Sequence, residues 1–273
     1  MDGRRGILDY CPTTGQTEPM ATLERDGMPP MSEREWRPAL SMRWKHLLFV
    51  HWRVPVASLR PLIPEPLQID TYDGAAWVGF VPFVMESVRP VWLPPIPKLL
   101  DFPEANIRTY VRYGEQRGVW FFSLDAAHRL GVWVARRFWK LPYYYARMWW
   151  EMLAPNEIVY TTTRKKRPRP YARVRYRFSG EPRETEPNTL EHFLVERYAL
   201  FTAHRGELYR AEVAHLPYAI QPATLLELEQ TLTDAAGISV AGAPDSVFYA
   251  PGFGVLASAL QPLHIANATG RAG

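Results

Sequence analysis

Apolar residues in this chain come in short runs cut apart by prolines, glycines and other turn formers, and few of the runs carry helical spacing. A short run rich in aromatic and β-branched residues folds as a strand, and strands that follow one another through short turns must lie antiparallel. The first such run is 47–52, ended by Pro55, and a helix over 56–63 follows, stopped by Pro64 and Pro66. Strands are expected at 67–70 and 76–85 around a turn at Tyr72, Asp73 and Gly74. The segment 90–102, with Pro90, Pro94, Pro95 and Pro97, reads as a loop over a surface or a pocket mouth. Further strands fall at 106–113 and 119–124, joined across Gly114 to Gly118, and then at 144–153, 158–163, 172–179, 207–215 and 246–256.

Helical spacing is confined to a few places. Val132, Ala135 and Trp139 share one face of a helix over 130–139 that stops before Pro142. The segment 190–198 has Asn188 or Thr189 as its cap, and 225–232 reads as a further helix. Strands and helices interleave without a βαβ rhythm, so the fold class is α+β, an antiparallel sheet closing on itself with a few flanking helices. Residues 1–38 mix Gly, Pro, Thr and charge without periodicity and read as a disordered leader, with Met20, Met28 and Met31 as alternative starts. A single domain is expected over 39–260, with 261–273 as a tail.

Composition removes several function classes. The lone Cys11 allows neither an intrachain disulfide nor a multi-cysteine zinc site, and the seven histidines show no HxH, HxxxH or HExxH spacing, so no metal is expected. Phosphate-loop and dinucleotide fingerprints and the serine-nucleophile elbow are missing, and no cofactor is expected. A net charge of +4 is mild, and no apolar stretch is long enough for a membrane helix. We therefore expect a cytoplasmic protein with neither nucleic-acid nor membrane partners. The most basic strand, with Arg173, Arg175 and Arg177 on one face, reads as a solvated edge strand rather than a nucleic-acid groove, because its aromatics lie on the other face.

Two clusters can carry chemistry. Alternation along 104–110 puts Glu104, Asn106, Arg108 and Tyr110 on one strand face, which suits a polar cavity, or alternatively a Glu104–Arg108 pair on an exposed strand. The segment 135–146, a helix end and a proline turn followed by Tyr143, Tyr144 and Tyr145, could aim one or two phenols into the same space, or pack them in the core.

At these residues the chain resembles the YqjF-like family of bacterial proteins. The resemblance rests on the segments 44–52, 59–67, 102–111, 121–125 and 196–198, in order along the chain. It implies the acetoacetate decarboxylase-like fold, a cone-shaped β-barrel around a pocket, and homo-oligomerisation. Similarity to the decarboxylase itself is thinner. It places Glu104 at the pocket glutamate, Lys45 near a first-strand pocket arginine, and Arg136 in an arginine-to-lysine-pair segment. Tyr143 and Tyr144 stand where the decarboxylase carries two lysines, and a phenol cannot form the imine which that reaction needs. The resulting expectation is a pocket for an organic acid or carbonyl compound without Schiff-base chemistry. In it Glu104 is the acid or base, Tyr143 or Tyr144 a neutral donor, and Arg108, Asn106, Lys45 and Arg136 contact the ligand. The alternative is a non-catalytic sensor or structural barrel whose pocket is closed by Trp133, Trp139, Trp149 and Trp150.

Overall fold

A computed structural model describes residues 36–94 and 101–263 of the chain. The strands are β1 (Pro38–Val54), β2 (Gln68–Ile69), β3 (Ala76–Pro90), β4 (Phe102–Tyr113), β5 (Gln116–Ala126), β6 (Tyr143–Ala154) and β7 (Glu157–Arg164). They continue as β8 (Tyr171–Phe178), β9 (Arg183–Glu184), β10 (Ala199–His204), β11 (Glu207–Ala214), β12 (Ala219–Gln230), β13 (Ser246–Ser258) and β14 (Gln261–Pro262). Short helices are α1 (Val56–Leu59), α2 (Arg129–Val134), α3 (Leu190–Val195) and α4 (Leu232–Ala235). A π-helical turn, Ala135–Trp139, extends α2, and Lys140 ends it in the left-handed region at φ 54°.

The strand pairings close the sheet twice around one shared wall. The wall runs β13–β1–β3–β4–β5, every pair antiparallel. On one side β5 passes to β10, β10 to β11 and β11 back to β13, completing a first ring. On the other side β5 passes to β6, β7, β8 and β12 and so back to β13, completing a second. The sheet is mixed rather than purely antiparallel, because β5 pairs in parallel with both β6 and β10.

Because side chains alternate across a strand, each wall strand feeds both rings. Leu47, Phe49, Val81, Phe83, Tyr110 and Val255 join the core of the first ring, together with Val213 of β11. Their neighbours Leu48, Val50, Phe80, Ala105 and Ile107 join the core of the second, against Ile158, Tyr160, Val174 and Tyr176. The face 104–110 expected from alternation is therefore present and looks into the first ring. Gly114 turns β4 into β5 at φ 57°, a conformation that a residue with a Cβ rarely adopts.

Several expectations change. The segment 225–232 is strand for most of its length, not helix. A bulge between Leu225 and Glu227 shifts the phase, so Leu225 and Leu228 reach the same core at a spacing that imitates a helix. The arginine strand β8 is not an edge: it lies between β7 and β12, with Arg175 and Arg177 paired to Glu157 and Arg173 to Glu227. Strand β10 had no counterpart in the sequence reading. The leader, to residue 35, lies outside the described residues, and the segment assigned to the tail begins with β14, paired to β11. Val132, Ala135 and Trp139 do share the core-facing side, and Thr189 does cap α3 by accepting from the His192 N–H. No helix among the described residues is long and apolar enough to cross a membrane.

Candidate functional site

Strand β4 lays Glu104, Asn106 and Arg108 in a row on the first-ring face, all buried, at 2%, 4% and 7% exposure. Successive members of such a row stand roughly 7 Å apart along the strand. Glu104 accepts a 2.8 Å hydrogen bond from the Tyr143 phenol, which the parallel start of β6 beside β5 delivers into the ring. Burial pushes the Glu104 carboxyl up to about 8; the Tyr143 hydrogen bond opposes that, and nearby Asp125 adds to it. Glu104 is thus a neutral acid at pH 7. Burial and the carboxyl beside it hold the Tyr143 phenol well above its ordinary value.

Arg108 does not pair with Glu104, so the exposed-strand alternative fails. Its Nη2 donates to the Leu194 carbonyl of α3 at 3.1 Å and lies 3.4 Å from the Tyr110 hydroxyl, while its Nε has no partner. Among the described residues no carboxylate lies within ion-pair distance of it. The guanidinium instead sits 5.4 Å from the centre of the Phe49 ring. A buried cation without a counter-ion is costly unless something else compensates it.

Next to Arg108 stands His51, fully buried, its Nε2 2.7 Å from the Tyr110 hydroxyl. Tyr110 spends its one proton on the Leu194 carbonyl at 2.9 Å, so His51 Nε2 must carry the proton it donates. That leaves Nδ1 as a bare acceptor, and it has no partner among the described residues. Burial first, and the Arg108 charge second, keep His51 neutral. A Cβ on Gly79 would come within 2.8 Å of His51 Nε2, so glycine is what lets the imidazole lie against the wall. Asn106 Oδ1 is also buried and unpartnered. Three unsatisfied groups facing one ring interior contrast with the usual satisfaction of buried polar atoms. Sequence reading passed over His51 as one of several scattered histidines; its place in an apolar run, in step with Phe49, was the available signal.

The other expected residues lie apart from this row. The Tyr144 ring is flanked by the guanidinium of Arg164 at 4.1 Å and by that of the exposed Arg136 at 6.0 Å. Lys45 pairs with Glu86 at 2.8 Å on a partly exposed surface. Lys140 lies 3.4 Å over the Tyr209 ring. Of the four tryptophans expected to close the ring, Trp133 and Trp149 are exposed and Trp150 packs on the second-ring core, while Trp139 packs against the first-ring core, which Trp44, Phe83, Phe248, Phe253 and Tyr218 also fill. A cleft of about 140 Å³ opens between Arg183, Glu191 and Gln221, and one of about 660 Å³ between Arg136, Lys140 and Arg205; Glu104 lines neither. Among the described residues no three His, Cys, Asp or Glu side chains converge to hold a metal ion.

Solved structures share this architecture. The enduracididine biosynthesis enzyme MppR complexed with pyruvate is similar at a TM-score of 0.59 and 11% identity, over 85% of this chain and 93% of that one. Acetoacetate decarboxylase from Legionella pneumophila matches at 0.58 and 12%, over 86% and 92%. The fold is therefore acetoacetate decarboxylase-like. In sequence the chain is 41% identical over 207 residues to the uncharacterized protein YqjF of Bacillus subtilis (strain 168), covering 76% of this chain and 85% of that protein. Residues 41–254 match the DUF2071 model, described as an uncharacterized conserved protein, and the chain belongs to that family.

Proposed function

We propose that the first ring binds a small organic acid that also carries a carbonyl group, and handles it by hydrogen bonding and proton transfer without an imine. The observation that carries this reading is Arg108, a buried cation whose Nε is unpartnered and which has no carboxylate beside it among the described residues, in a row with Glu104, whose carboxyl burial pushes up to about 8. A ligand carboxylate would supply the missing counter-charge, in the bidentate geometry that guanidinium favours. Asn106 and the Glu104 acid would then face the rest of the ligand, and an acid that titrates near 8 can donate a proton toward a developing oxyanion. MppR holds pyruvate on the same fold, which supports the keto-acid class. No lysine joins the row, so nothing there can form a Schiff base.

A second reading has its own support: Glu104 is 2% exposed and aromatic side chains fill the ring, as in a closed barrel serving as a sensor or structural protein. A thermal-shift screen against pyruvate and other keto acids separates the two, with wild type beside Arg108→Gln and Glu104→Gln. Ligand at about 100 times its dissociation constant adds about 2.7 kcal/mol, a shift of several degrees. We expect the shift in wild type, its loss in Arg108→Gln and its weakening in Glu104→Gln. A flat response from wild type across the panel contradicts the binding reading and supports the closed barrel.

A further inference from the structure

We propose that β6 is a self-complementary edge through which two copies of this chain pair antiparallel into one continuous sheet. The parallel pairing of β5 with β6 covers only Tyr143 to Tyr145. Beyond it β6 pairs with β7 alone, up to an irregularity between Met152 and Ala154. The stretch Ala146 to Met152 is therefore a regular strand with one bonding edge unpaired among the described residues. It contains no proline, glycine or lysine, three of the devices that keep an exposed edge from recruiting another strand, and its two charges, Arg147 and Glu151, are of opposite sign and so do not repel a second copy of the same edge.

The stretch is centred on Trp149, and its sequence reads compatibly in both directions from there. An antiparallel copy related by a two-fold axis at Trp149 sets Arg147 opposite Glu151, Met148 opposite Trp150 and Trp149 opposite itself. On the solvent face the two charges then meet twice, once on each side of the axis, flanking two indoles that are each 48% exposed in the single chain. On the inner face apolar side chains that already pack on the second-ring core meet one another. The charges point the same way. Arg173, Arg175 and Arg177 on central β8 each have a carboxylate partner within the chain. Arg147 and Glu151, exposed on the edge strand, have none among the described residues, and a second copy provides both.

Sedimentation velocity of the full chain across a concentration series tests the pairing, with Arg147→Glu, Glu151→Arg and the double reversal beside wild type. We expect a wild-type dimer, a dissociation constant raised roughly tenfold by either single reversal, since each creates two like-charge pairs, and recovery in the double reversal. A second measurement does not depend on those variants folding well. Trp149→Cys, with Cys11→Ser, places two sulfurs across the axis at a Cα separation of about 4.5–5.5 Å, inside disulfide range, so oxidation should yield a covalent dimer. A wild-type monomer at all concentrations, a dimer indifferent to single reversals, or no cross-link through Cys at position 149 would each overturn the proposal.

Discussion

The two faces of the shared wall treat buried charge in opposite ways. Toward the second ring, Asp125 of β5 accepts from Arg164 Nε at 2.6 Å and from the Thr162 hydroxyl at 3.2 Å. Toward the first ring, among the described residues, Glu104 has only a phenol, and Arg108 only a carbonyl and a hydroxyl. Burial pushes both carboxyls up, but at Asp125 an adjacent guanidinium opposes the shift, whereas at Glu104 no cation does. A third buried carboxylate, Asp70, follows the second-ring pattern, taking Arg197 Nη1 at 2.7 Å. The chain can evidently place a cation beside a buried carboxylate where the fold requires one. Arg164 and Arg197 each keep one buried Nη2 without a hydrogen-bond partner among the described residues, but each faces a carboxylate; Glu104 and Arg108 stand in a single row with no ion-pair partner among the described residues, the arrangement that makes the row a candidate site.

The largest effect that could break this contrast comes from the matched side. Arg164→Ala leaves the Asp125 carboxyl buried without its cation and should destabilise by about 3–5 kcal/mol in denaturant unfolding. An effect below about 1 kcal/mol would erase the distinction between the rings. The next concerns pH. Between its unfolded value of 4.5 and about 8, Glu104 keeps its proton in the folded state and loses it in the unfolded state, so folding binds a proton. Stability should therefore fall as pH rises through that window, by up to about 1.4 kcal/mol per unit from this group, and level off above it. In Glu104→Gln that contribution disappears, and unfolding curves at pH 5, 6.5 and 8 read the difference. The smallest effect separates Lys45 from Arg108 among the candidate ligand cations. Lys45→Ala removes a partly exposed ion pair and should cost less than about 1 kcal/mol while leaving any keto-acid shift intact.

Much of this was legible in the chain because alternation is a local property. The row Glu104, Asn106, Arg108, Tyr110 and the arginine face of β8 both follow from spacing alone. What spacing could not supply was topology. Whether the arginine strand is central or an edge depends on β12, some fifty residues away, and the bulge that makes β12 a strand also gives Leu225 and Leu228 their helix-like interval. The partners of Asp125 and Glu104 lie on β7 and β6, so no local pattern tells which carboxylate is matched. Tyr143 was separable from Tyr144 only once β6 was seen to run beside β5, which turns one phenol onto Glu104 and leaves the other between arginines. The double ring itself arises from β5 and β13 each pairing with different strands at their two ends, a feature of assembly rather than of any segment.

The unmatched acid is open to direct observation. Carbon-13 labelling of the glutamate carboxyls, with Glu104→Gln to assign the resonance, allows Glu104 to be titrated in the folded protein. A midpoint near 8, moving higher in Tyr143→Phe as the opposing hydrogen bond is removed, is the predicted result. A midpoint at the ordinary glutamate value near 4.5 would mean that Glu104 is a matched or solvated carboxylate, and the contrast between the two rings would not stand.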